Sequence, residues 1–228
     1  MGHHLWVVIP AYDEQRSIGA TLQRLTEQTD GAFTVVVVDN GSTDATAEIA
    51  AGFADRLDLH VITEPVKGTG AAADTGMRHA IAHGATLLAR TDADCLPAPG
   101  WTAAVRRGFA DGLRMLSGPL RPRADEFPLR WWERRLLPAV VSIAATFGRF
   151  RPGNRDAAYL GPYVMMPGCN LAITAELYEA AGGFPAPASR TCTRTGHWST
   201  GSAASPATTA CAATCWCTAR SGGCARTA

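Results

Sequence analysis

Apolar and polar positions alternate in two distinct rhythms over the first hundred residues. Residues 5–9 form a continuous apolar run that stops at Pro10, as expected for a strand buried on both faces of a sheet. Ile18, Leu22 and Leu25 are spaced by four and three residues, which predicts one buried helix face within residues 15–28. The same rhythms predict strands at 33–38, 59–63 and 85–90, a helix capped by residues 42–44 that ends near 53, and a helix over 71–83.

This alternation of strands and helices predicts the fold class. Strands separated by helices at this spacing imply an α/β fold, with a mainly parallel sheet flanked by helices. In such sheets, ligands bind beyond the carboxyl ends of the strands. Chemically active side chains occupy that position after the first four predicted strands in turn: Asp13 and Glu14, Asp39 and Asn40, Lys67, and Asp92 with Asp94.

The pattern beyond residue 97 is less regular. It predicts helices over 98–110 and 174–181, strands at 113–117 and 163–166, and a largely helical stretch over 127–147. That stretch carries Trp131 and Trp132 among three arginines, a composition that suits either a membrane surface or a helix packed on the sheet. Both alternatives stay open from the sequence.

The composition changes at residue 189. Residues 189–228 contain no Leu, Ile, Val, Met, Phe or Tyr, and no Asp, Glu, Lys, Asn or Gln. A segment so poor in bulky apolar side chains cannot offset its ordering entropy by burial. We therefore expect one domain over 1–188 and a separate tail over 189–228. The residue types of the tail are those of a GC-rich gene translated out of frame, and a natural disordered tail is the alternative.

Charge and cysteine content narrow the class of protein. The chain carries 21 Lys and Arg against 20 Asp and Glu, so its net charge gives no reason to expect a nucleic-acid partner. Only Cys95 and Cys169 precede the tail, which suits a reducing cytosol. The apolar runs at 5–9 and 136–147 are too short for a signal peptide and a membrane span, respectively. We expect a cytoplasmic protein that is soluble or, at most, peripheral at the membrane.

The strongest chemical signal is Asp92-Ala93-Asp94, directly after a predicted buried strand. Mg²⁺ and Mn²⁺ prefer oxygen ligands and keep other positions for water and phosphate oxygens. A cation held there would neutralise the charge that builds on a departing diphosphate. An Asp-x-Asp pair is by itself a common feature of solvated loops, so the inference depends on its place after the fourth strand.

Two further segments suggest a nucleotide site. Asp39 ends a strand of four valines, where an ionised carboxylate can accept hydrogen bonds from a base N–H or a ribose hydroxyl. The alternative is that residues 39–42 serve only as a turn and helix cap. Pro10-Ala11-Tyr12 can present backbone groups and an aromatic face to the base, although Tyr12 can also be a packing residue.

Four motifs in succession resemble those of family 2 glycosyltransferases. They are Val7-Val8-Ile9-Pro10-Ala11-Tyr12-Asp13-Glu14, Val38-Asp39-Asn40-Gly41-Ser42-Thr43-Asp44, Lys67-Gly68-Thr69-Gly70 and Thr91-Asp92-Ala93-Asp94. The resemblance covers roughly residues 5–188 and implies the GT-A fold. It also implies inverting transfer from a nucleotide-diphosphate sugar to a hydroxyl acceptor. A lipid-linked acceptor is one of the alternatives.

The resemblance assigns roles to individual residues. It implies that Asp39 meets the nucleotide base, that Asp92 lies on the ribose or sugar side, and that Asp94 anchors Mg²⁺ or Mn²⁺ with help from Asp92. The acceptor-side segment corresponds to residues 167–172 followed by 182–184, which puts Asn170 near the acceptor unless it is a structural turn residue. The complete predicted substrate-binding set is Pro10, Ala11, Tyr12, Glu14, Asp39, Lys67, Asp92 and Asn170.

The expected general base has no counterpart in this chain. In the family, an acidic pair follows the Gly-Gly-Phe segment by a few residues, whereas no Asp or Glu follows Phe184 here. An inverting displacement needs a carboxylate within hydrogen-bond reach of the acceptor hydroxyl. We therefore predict donor binding with little or no transfer, and we assign no catalytic residue.

Two other functions share parts of this pattern. A catalytically inactive nucleotide-sugar-binding protein would carry the same donor motifs and differ only in lacking a base. A sugar-1-phosphate nucleotidyltransferase uses a related sheet, but its Gly-rich, Arg- or Lys-bearing loop is missing after the first strand. The dinucleotide-like pattern Gly68-Thr69-Gly70-Ala71-Ala72-Ala73 follows the third strand rather than the first, which argues against NAD.

Overall fold

The computed structural model describes residues 4–122, 136, 140, 143, 167–184, 209–211 and 217–219. Within these residues the strands are β1 (Leu5–Ala11), β2 (Phe33–Asp39), β3 (Leu59–Thr63), β4 (Leu87–Thr91), β5 (Leu96–Pro97), β6 (Met115–Ser117), β7 (Leu120–Pro122), β8 (Asn170–Thr174), β9 (Thr209–Cys211) and β10 (Cys217–Ala219). The continuous helices are α1 (Ile18–Thr26), α2 (Thr46–Ala51), α3 (Thr69–Ala82), α4 (Trp101–Ala110) and α5 (Ala175–Ala180).

The main sheet has seven strands in the order β3-β2-β1-β4-β8-β6-β9. The first four strands of this order run parallel, and β8 runs antiparallel to both β4 and β6. A smaller sheet joins β5, β10 and β7. The predicted α/β class, with a mainly parallel sheet flanked by helices, is confirmed.

Alternate residues of the central strands supply two separate cores. On β1, Leu5, Val7 and Ile9 pack in one core with α1 and α4, whereas Trp6 and Val8 pack in the other with α3. Both faces of the strand are therefore covered by helices, which explains why its sequence is continuously apolar rather than alternating. The burial of every residue of β1 and β2 agrees with that interpretation.

Helix α3 lies unusually close to the sheet at Gly76. A Cβ atom at this position would lie 2.5 Å from Val8 Cγ1 and 2.8 Å from Val38 Cγ2. Because real Cβ atoms do not approach other heavy atoms so closely, the absence of a side chain at Gly76 sets the distance between helix and sheet. This packing fixes the direction of α3, and with it the loops at both of its ends.

Most elements lie where the sequence predicts them, with three kinds of difference. The fourth strand begins at Leu87 rather than Ala85, and the first helix is shorter at both ends than residues 15–28. Strands β5, β7, β8, β9 and β10 were not predicted, and the last two lie within the predicted tail. The predicted strand at 163–166 lies outside the described residues, as does most of 127–147, of which Leu136, Val140 and Ile143 are helical.

The division between residues 188 and 189 stays a prediction. In the described part of the chain, no helix has both the length and the apolar character needed to cross a bilayer.

Candidate functional site

The carboxyl edge of the parallel strands gathers the predicted donor-site residues. Asp39 is the last residue of β2, and Asp92 follows Thr91, the last residue of β4. Strand β1 lies between them and ends at Ala11, which pairs with Asp39. Because neighbouring strands are about 4.8 Å apart, the ends of β2 and β4 are separated by about 10 Å, a span that suits a nucleoside diphosphate.

Asp39 is buried at the end of its strand and is held by the following turn. Its Oδ1 accepts a hydrogen bond from the backbone N–H of Ser42 at 3.2 Å. The backbone N–H of Asn40 donates to the carbonyl of Ala11 at 2.9 Å, which extends the β1–β2 pairing beyond the strand. The carboxylate is thus a fixed acceptor at the edge of the sheet, and it also has the turn-capping role that the sequence left as the alternative.

Asn40 organises the loop that carries Lys67, a role that sequence reasoning missed. Its Nδ2 donates to the carbonyls of Glu64 and Val66, at 2.8 Å each, and its Oδ1 accepts from the N–H of Gly68 at 2.7 Å. The buried amide therefore ties three points of the loop between β3 and α3. The sequence signal for this role was an Asn directly after a buried strand, because a buried amide group needs several hydrogen-bond partners.

Lys67 and Tyr12 form a pair on the rim of this edge. Lys67 Nζ donates a hydrogen bond to Tyr12 Oη at 3.0 Å and lies 4.4 Å from the centroid of the ring. The hydrogen bond to Tyr12 raises the pKa of Lys67, and the nearby Asp13 acts in the same direction. The lysine is therefore a cation at neutral pH, and 46% of the Tyr12 surface is exposed.

The residues between Tyr12 and α1 are shaped by hydrogen bonds to the loop after β2. Asp13 has a φ of 51°, which is rare for a residue with a side chain. Its Oδ1 accepts from the N–H of Thr43 at 2.7 Å. The N–H of Glu14 donates to Thr46 Oγ1 at 2.8 Å. Pro10 and Ala11 are the last two residues of β1 and are buried. Any contact that they make with a ligand is therefore at the carboxyl end of that strand.

Asp92 is paired with an arginine that the sequence analysis did not single out. Arg90 Nε and Nη2 both donate to Asp92 Oδ1, at 3.1 and 2.9 Å. The Arg90 side chain is 9% exposed and the Asp92 side chain is 31% exposed. The carboxylate is therefore the more exposed member of the ion pair. The arginine holds Asp92 in one orientation and offsets part of the negative charge there.

Thr21 of α1 fixes the backbone around Asp94. Its buried hydroxyl lies 2.7 Å from the carbonyl oxygens of both Ala93 and Cys95. The N–H of Cys95 donates to the carbonyl of Asp92 at 3.1 Å and closes the turn. The half-buried Asp94 side chain is therefore presented by a rigid turn rather than by a loose loop.

Asn170 is buried within the protein, with 2% of its surface exposed. Its Oδ1 accepts from Trp101 Nε1 at 2.9 Å, and its Nδ2 lies 3.3 Å from the carbonyl of Pro119. It also begins β8, where it pairs with Thr91 beside the Asp92 turn. These contacts favour the structural alternative for Asn170, and its role in binding an acceptor stays a prediction.

Asp74 of α3 anchors the segment that ends at Phe184. Its Oδ1 accepts from Tyr178 Oη at 2.5 Å and from the N–H of Phe184 at 3.1 Å. Burial, followed by the hydrogen bond to Asp74, raises the pKa of Tyr178, so the phenol stays protonated. Gly183 has a φ of 83°, and a Cβ there would lie 2.4 Å from Asp74 Oδ1, so only glycine fits.

The anchored segment ends next to the Asp92 turn. The guanidinium of Arg90 lies 5.6 Å from the centroid of the Phe184 ring, within the range of a cation–π contact. Arg90 thus touches both Phe184 and Asp92. Phe184 and Asp92 are therefore neighbours through their shared contact with Arg90.

The donor set at this edge fits a hard divalent cation. Asp92 and Asp94 supply carboxylate oxygens from one rigid turn, and Mg²⁺ and Mn²⁺ are usually held by one or two carboxylates together with substrate phosphates. The Arg90 contact engages Asp92 Oδ1, which makes Asp94 the better candidate for the principal ligand.

The chain belongs to glycosyl transferase family 2, because the model of that family matches residues 6–179, well over half of the chain. The glycosyltransferase AglE of Haloferax volcanii is 38% identical over 100 residues, which are 42% of this chain and 32% of AglE. Validoxylamine A glucosyltransferase of Streptomyces hygroscopicus subsp. limoneus is 35% identical over 110 residues, or 46% of this chain and 24% of that protein. The chain thus spans only part of the length of these relatives.

Solved structures agree on the fold. The mannosyltransferase PcManGT of Pyrobaculum calidifontis, in complex with GDP-Man and Mn²⁺, is 28% identical with a TM-score of 0.58, and the match covers 79% of this chain and 47% of that one. TarS of S. aureus is 19% identical with a TM-score of 0.56, over 79% of this chain and 50% of that one. The GT-A fold implied by the resemblance is confirmed.

Proposed function

We propose that this domain binds a nucleotide-diphosphate sugar together with Mg²⁺ or Mn²⁺ and serves the inverting transfer of its sugar to a hydroxyl acceptor. The observation that carries the proposal is the set of three carboxylates, Asp39, Asp92 and Asp94, at one edge of the sheet. Each is held by its own contacts, to Ser42, to Arg90 and through the turn bound by Thr21. Such independent support is expected where side chains must be preorganised for a ligand.

Each part of the edge suits one part of the donor. Asp39, buried and fixed, accepts hydrogen bonds from the base or the ribose. Tyr12 offers an aromatic face beside it, and Lys67 places a cation on the rim toward the diphosphate. Asp94, assisted by Asp92, holds the divalent cation, which when bound stabilises the negative charge of the departing diphosphate.

The reaction is a single displacement at the anomeric carbon. The acceptor oxygen forms a bond to that carbon as the bond to the diphosphate oxygen breaks, and the nucleoside diphosphate leaves with the electron pair. The acceptor proton must pass to a base on the face opposite the leaving group. In this chain residues 185–228 contain no Asp or Glu.

We therefore propose that the 228-residue chain binds its donor and transfers sugar slowly. Loss of a positioned base typically lowers a rate by about 10²- to 10⁴-fold. The absence of an acid after Phe184 also supports the second candidate, a protein that binds nucleotide sugars without transferring them. The two differ only in whether any metal-dependent turnover occurs.

Calorimetric titration of the 228-residue chain tests donor binding. GDP and GDP-Man are tried first, because PcManGT, at 28% identity, was solved with GDP-Man and Mn²⁺, and UDP is tried next. We expect binding in Mn²⁺ that is lost in EDTA. Asp94→Asn should weaken it by about 100-fold or more, since even outer contacts of a metal site are worth 10–100-fold. Asp111→Asn, an exposed acid at the end of α4, is the matched control and should bind as the parent does.

Three outcomes would contradict the proposal. Binding that persists in EDTA would remove the metal from the donor site, and equal loss in both variants would show that Asp94 has no special role. Release of pyrophosphate from a nucleoside triphosphate and a sugar 1-phosphate would instead identify a nucleotidyltransferase. Turnover at a normal rate would refute the proposed loss of the base but would leave donor binding intact.

One observation bears on the acceptor. Leu136, Val140 and Ile143 are helical, spaced by four and three residues, and 53%, 58% and 56% exposed. This apolar helix face supports a peripheral contact with a membrane, as a lipid-linked acceptor would require. Sedimentation with phosphatidylcholine vesicles, with and without phosphatidylglycerol, tests it: Leu136→Glu should reduce binding, and Val66→Glu, at an exposed site elsewhere, should not. Equal binding by both variants would exclude this face.

A further inference from the structure

Three histidines form a cluster at the opposite end of the sheet from the carboxylates. His60, His79 and His83 each offer one ring nitrogen, and these nitrogens all lie within 4.8 Å of one another. The shortest separation, between His60 Nδ1 and His79 Nε2, is 3.1 Å. Two nitrogens bound to one tetrahedral zinc are about 3.3 Å apart, for Zn–N bonds of about 2.0–2.1 Å. His60 and His79 therefore already have about the separation of two zinc ligands, and the ring nitrogen of His83 lies within 4.8 Å of both.

The backbone elements set this arrangement. His79 and His83 are four residues apart at the end of α3 and so point to the same side, a spacing that is also used by pairs of zinc-binding histidines in other helices. His60 is the second residue of β3, the edge strand of the main sheet. A shared ion would therefore connect a helix to an edge strand.

One ring already has the hydrogen bond that is expected of a metal ligand. His83 Nδ1 lies 2.8 Å from the carbonyl of His79, so this nitrogen carries the proton and Nε2 keeps its lone pair. Metal-binding histidines usually donate their second ring N–H in this way, which fixes the tautomer and the direction of the ring.

Trp6 closes the inner side of the cluster. Its ring centroid lies 5.0 Å from that of His60, 6.0 Å from His79 and 5.9 Å from His83. Its Nε1 donates to His4 Nδ1 at 3.3 Å, and the other ring nitrogen of His4 lies 3.1 Å from Thr34 Oγ1. His4 therefore lies next to the cluster, but both of its ring nitrogens have hydrogen-bond partners. It is not one of the three histidines of the cluster.

We propose that His60, His79 and His83 bind one divalent transition-metal ion, with Zn²⁺ as the reference ion. Imidazole nitrogens suit Zn²⁺, Ni²⁺ and Cu²⁺, whereas Mg²⁺ requires oxygen ligands. Three protein ligands leave the fourth position of a tetrahedral ion to water. The site does not depend on the proposed glycosyl transfer, and it is separate from the cation site at Asp94.

Titration of the metal-stripped 228-residue chain with Zn²⁺ tests the proposal. We expect one equivalent to bind with micromolar or tighter affinity, and Ni²⁺ or Cu²⁺ to quench part of the tryptophan fluorescence through Trp6. His83→Ala, at the exposed ligand, should weaken binding at least tenfold. His60→Gln and His79→Gln should do the same. Asp94→Asn should leave the Zn²⁺ affinity unchanged, which separates this site from the donor site.

A combined His3→Gln/His4→Gln variant is the matched control for histidines outside the trio, and it should retain the site. The melting temperature supplies a second measurement, because an ion that binds only the folded state stabilises it. Zn²⁺ at a hundredfold excess over Kd should raise Tm by about 5–10 °C in the parent and not in His83→Ala. The proposal is overturned if Zn²⁺ binds only at millimolar concentration, or if the control variant loses binding while His83→Ala keeps it.

Discussion

The two ends of α3 differ in their chemistry although they belong to one rigid element. At its start, Gly68 and Lys67 adjoin the edge that carries the carboxylates, and at its end His79 and His83 meet His60. The helix has 14 residues and is therefore about 20 Å long. One end offers oxygen ligands and a cation, as a phosphorylated ligand requires, and the other offers three imidazole nitrogens.

The difference shows how a parallel sheet separates two kinds of chemistry. The carboxyl ends of the strands converge on the donor edge, because every parallel strand ends there and the loops that follow are free to carry polar residues. The amino ends and the helix C-terminus converge on the other edge. Since hard and borderline cations prefer different ligands, each end can select its own ion from the same solution.

Gly76→Ala should have the largest effect, because it changes the packing of the element that joins both ends. The added methyl group would overlap Val8 and Val38, two stiff buried side chains. We expect a loss of about 1–3 kcal/mol in the free energy of unfolding, together with weaker binding at both ends. Urea unfolding and the two titrations measure this.

Gly70→Ala is the matched control on the same helix, since a Cβ at Gly70 meets nothing within 4 Å. It should be neutral, or should stabilise the protein by up to about 1 kcal/mol through helix propensity. If Gly76→Ala proves as harmless as Gly70→Ala, then the close packing of α3 does not couple the two ends.

Thr21→Val should affect the donor end alone. It removes the donor that the carbonyls of Ala93 and Cys95 share in the buried turn, and an unsatisfied buried group costs about 1–3 kcal/mol. Mn²⁺-dependent nucleotide binding should weaken while Zn²⁺ binding is unchanged. Thr26→Val, on the same helix but only partly buried, should change neither affinity. A parallel loss of Zn²⁺ binding would mean that Thr21 acts through general stability.

Thr75→Val should have the smallest effect, and one that depends on pH. The hydrogen bond from Thr75 lowers the pKa of Glu64, helped by the N–H of Val66. A carboxyl with a lowered folded-state pKa contributes stability above its unfolded pKa of about 4.3, and this contribution is lost as the pH falls. The variant should therefore be slightly less stable than the parent at pH 7, with a smaller difference near pH 3.

Urea unfolding midpoints at the two pH values measure this difference. The control is the same substitution made in a Glu64→Gln protein, which lacks the titrating carboxyl group. In that background Thr75→Val should show no pH dependence. A difference that is the same at both pH values would assign the effect to packing rather than to the charge of Glu64.

The sequence predicts the donor half well because its signals are local. The first four strands are continuous apolar runs, and Asp39, Asp92 and Asp94 come directly after them. Their place at one edge follows from parallel pairing, which the helices between the strands imply. The fold class and the family assignment depend on these signals, and both are confirmed, whereas the roles of the individual residues stay predictions.

What the sequence does not reveal are the contacts between distant segments. Thr21 reaches the turn after β4 across more than seventy residues, and nothing in the spacing of polar positions on α1 marks its hydroxyl. Arg90 looks like an ordinary strand residue until its contact with Phe184 is seen. His79 and His83 are visible as a helical pair, but His60 joins them only through the packing of α3 on the edge strand.

The attachment of Phe184 to Asp74 has a consequence for protein engineering. Its backbone N–H is held by a hydrogen bond and its ring lies against Arg90, so Phe184 has a fixed position beside the sheet. Gly183, with a φ of 83°, supplies the local conformation that this attachment requires. Phe184 is therefore a fixed reference point at which chimeras with other family 2 glycosyltransferases can be joined and their donor binding compared.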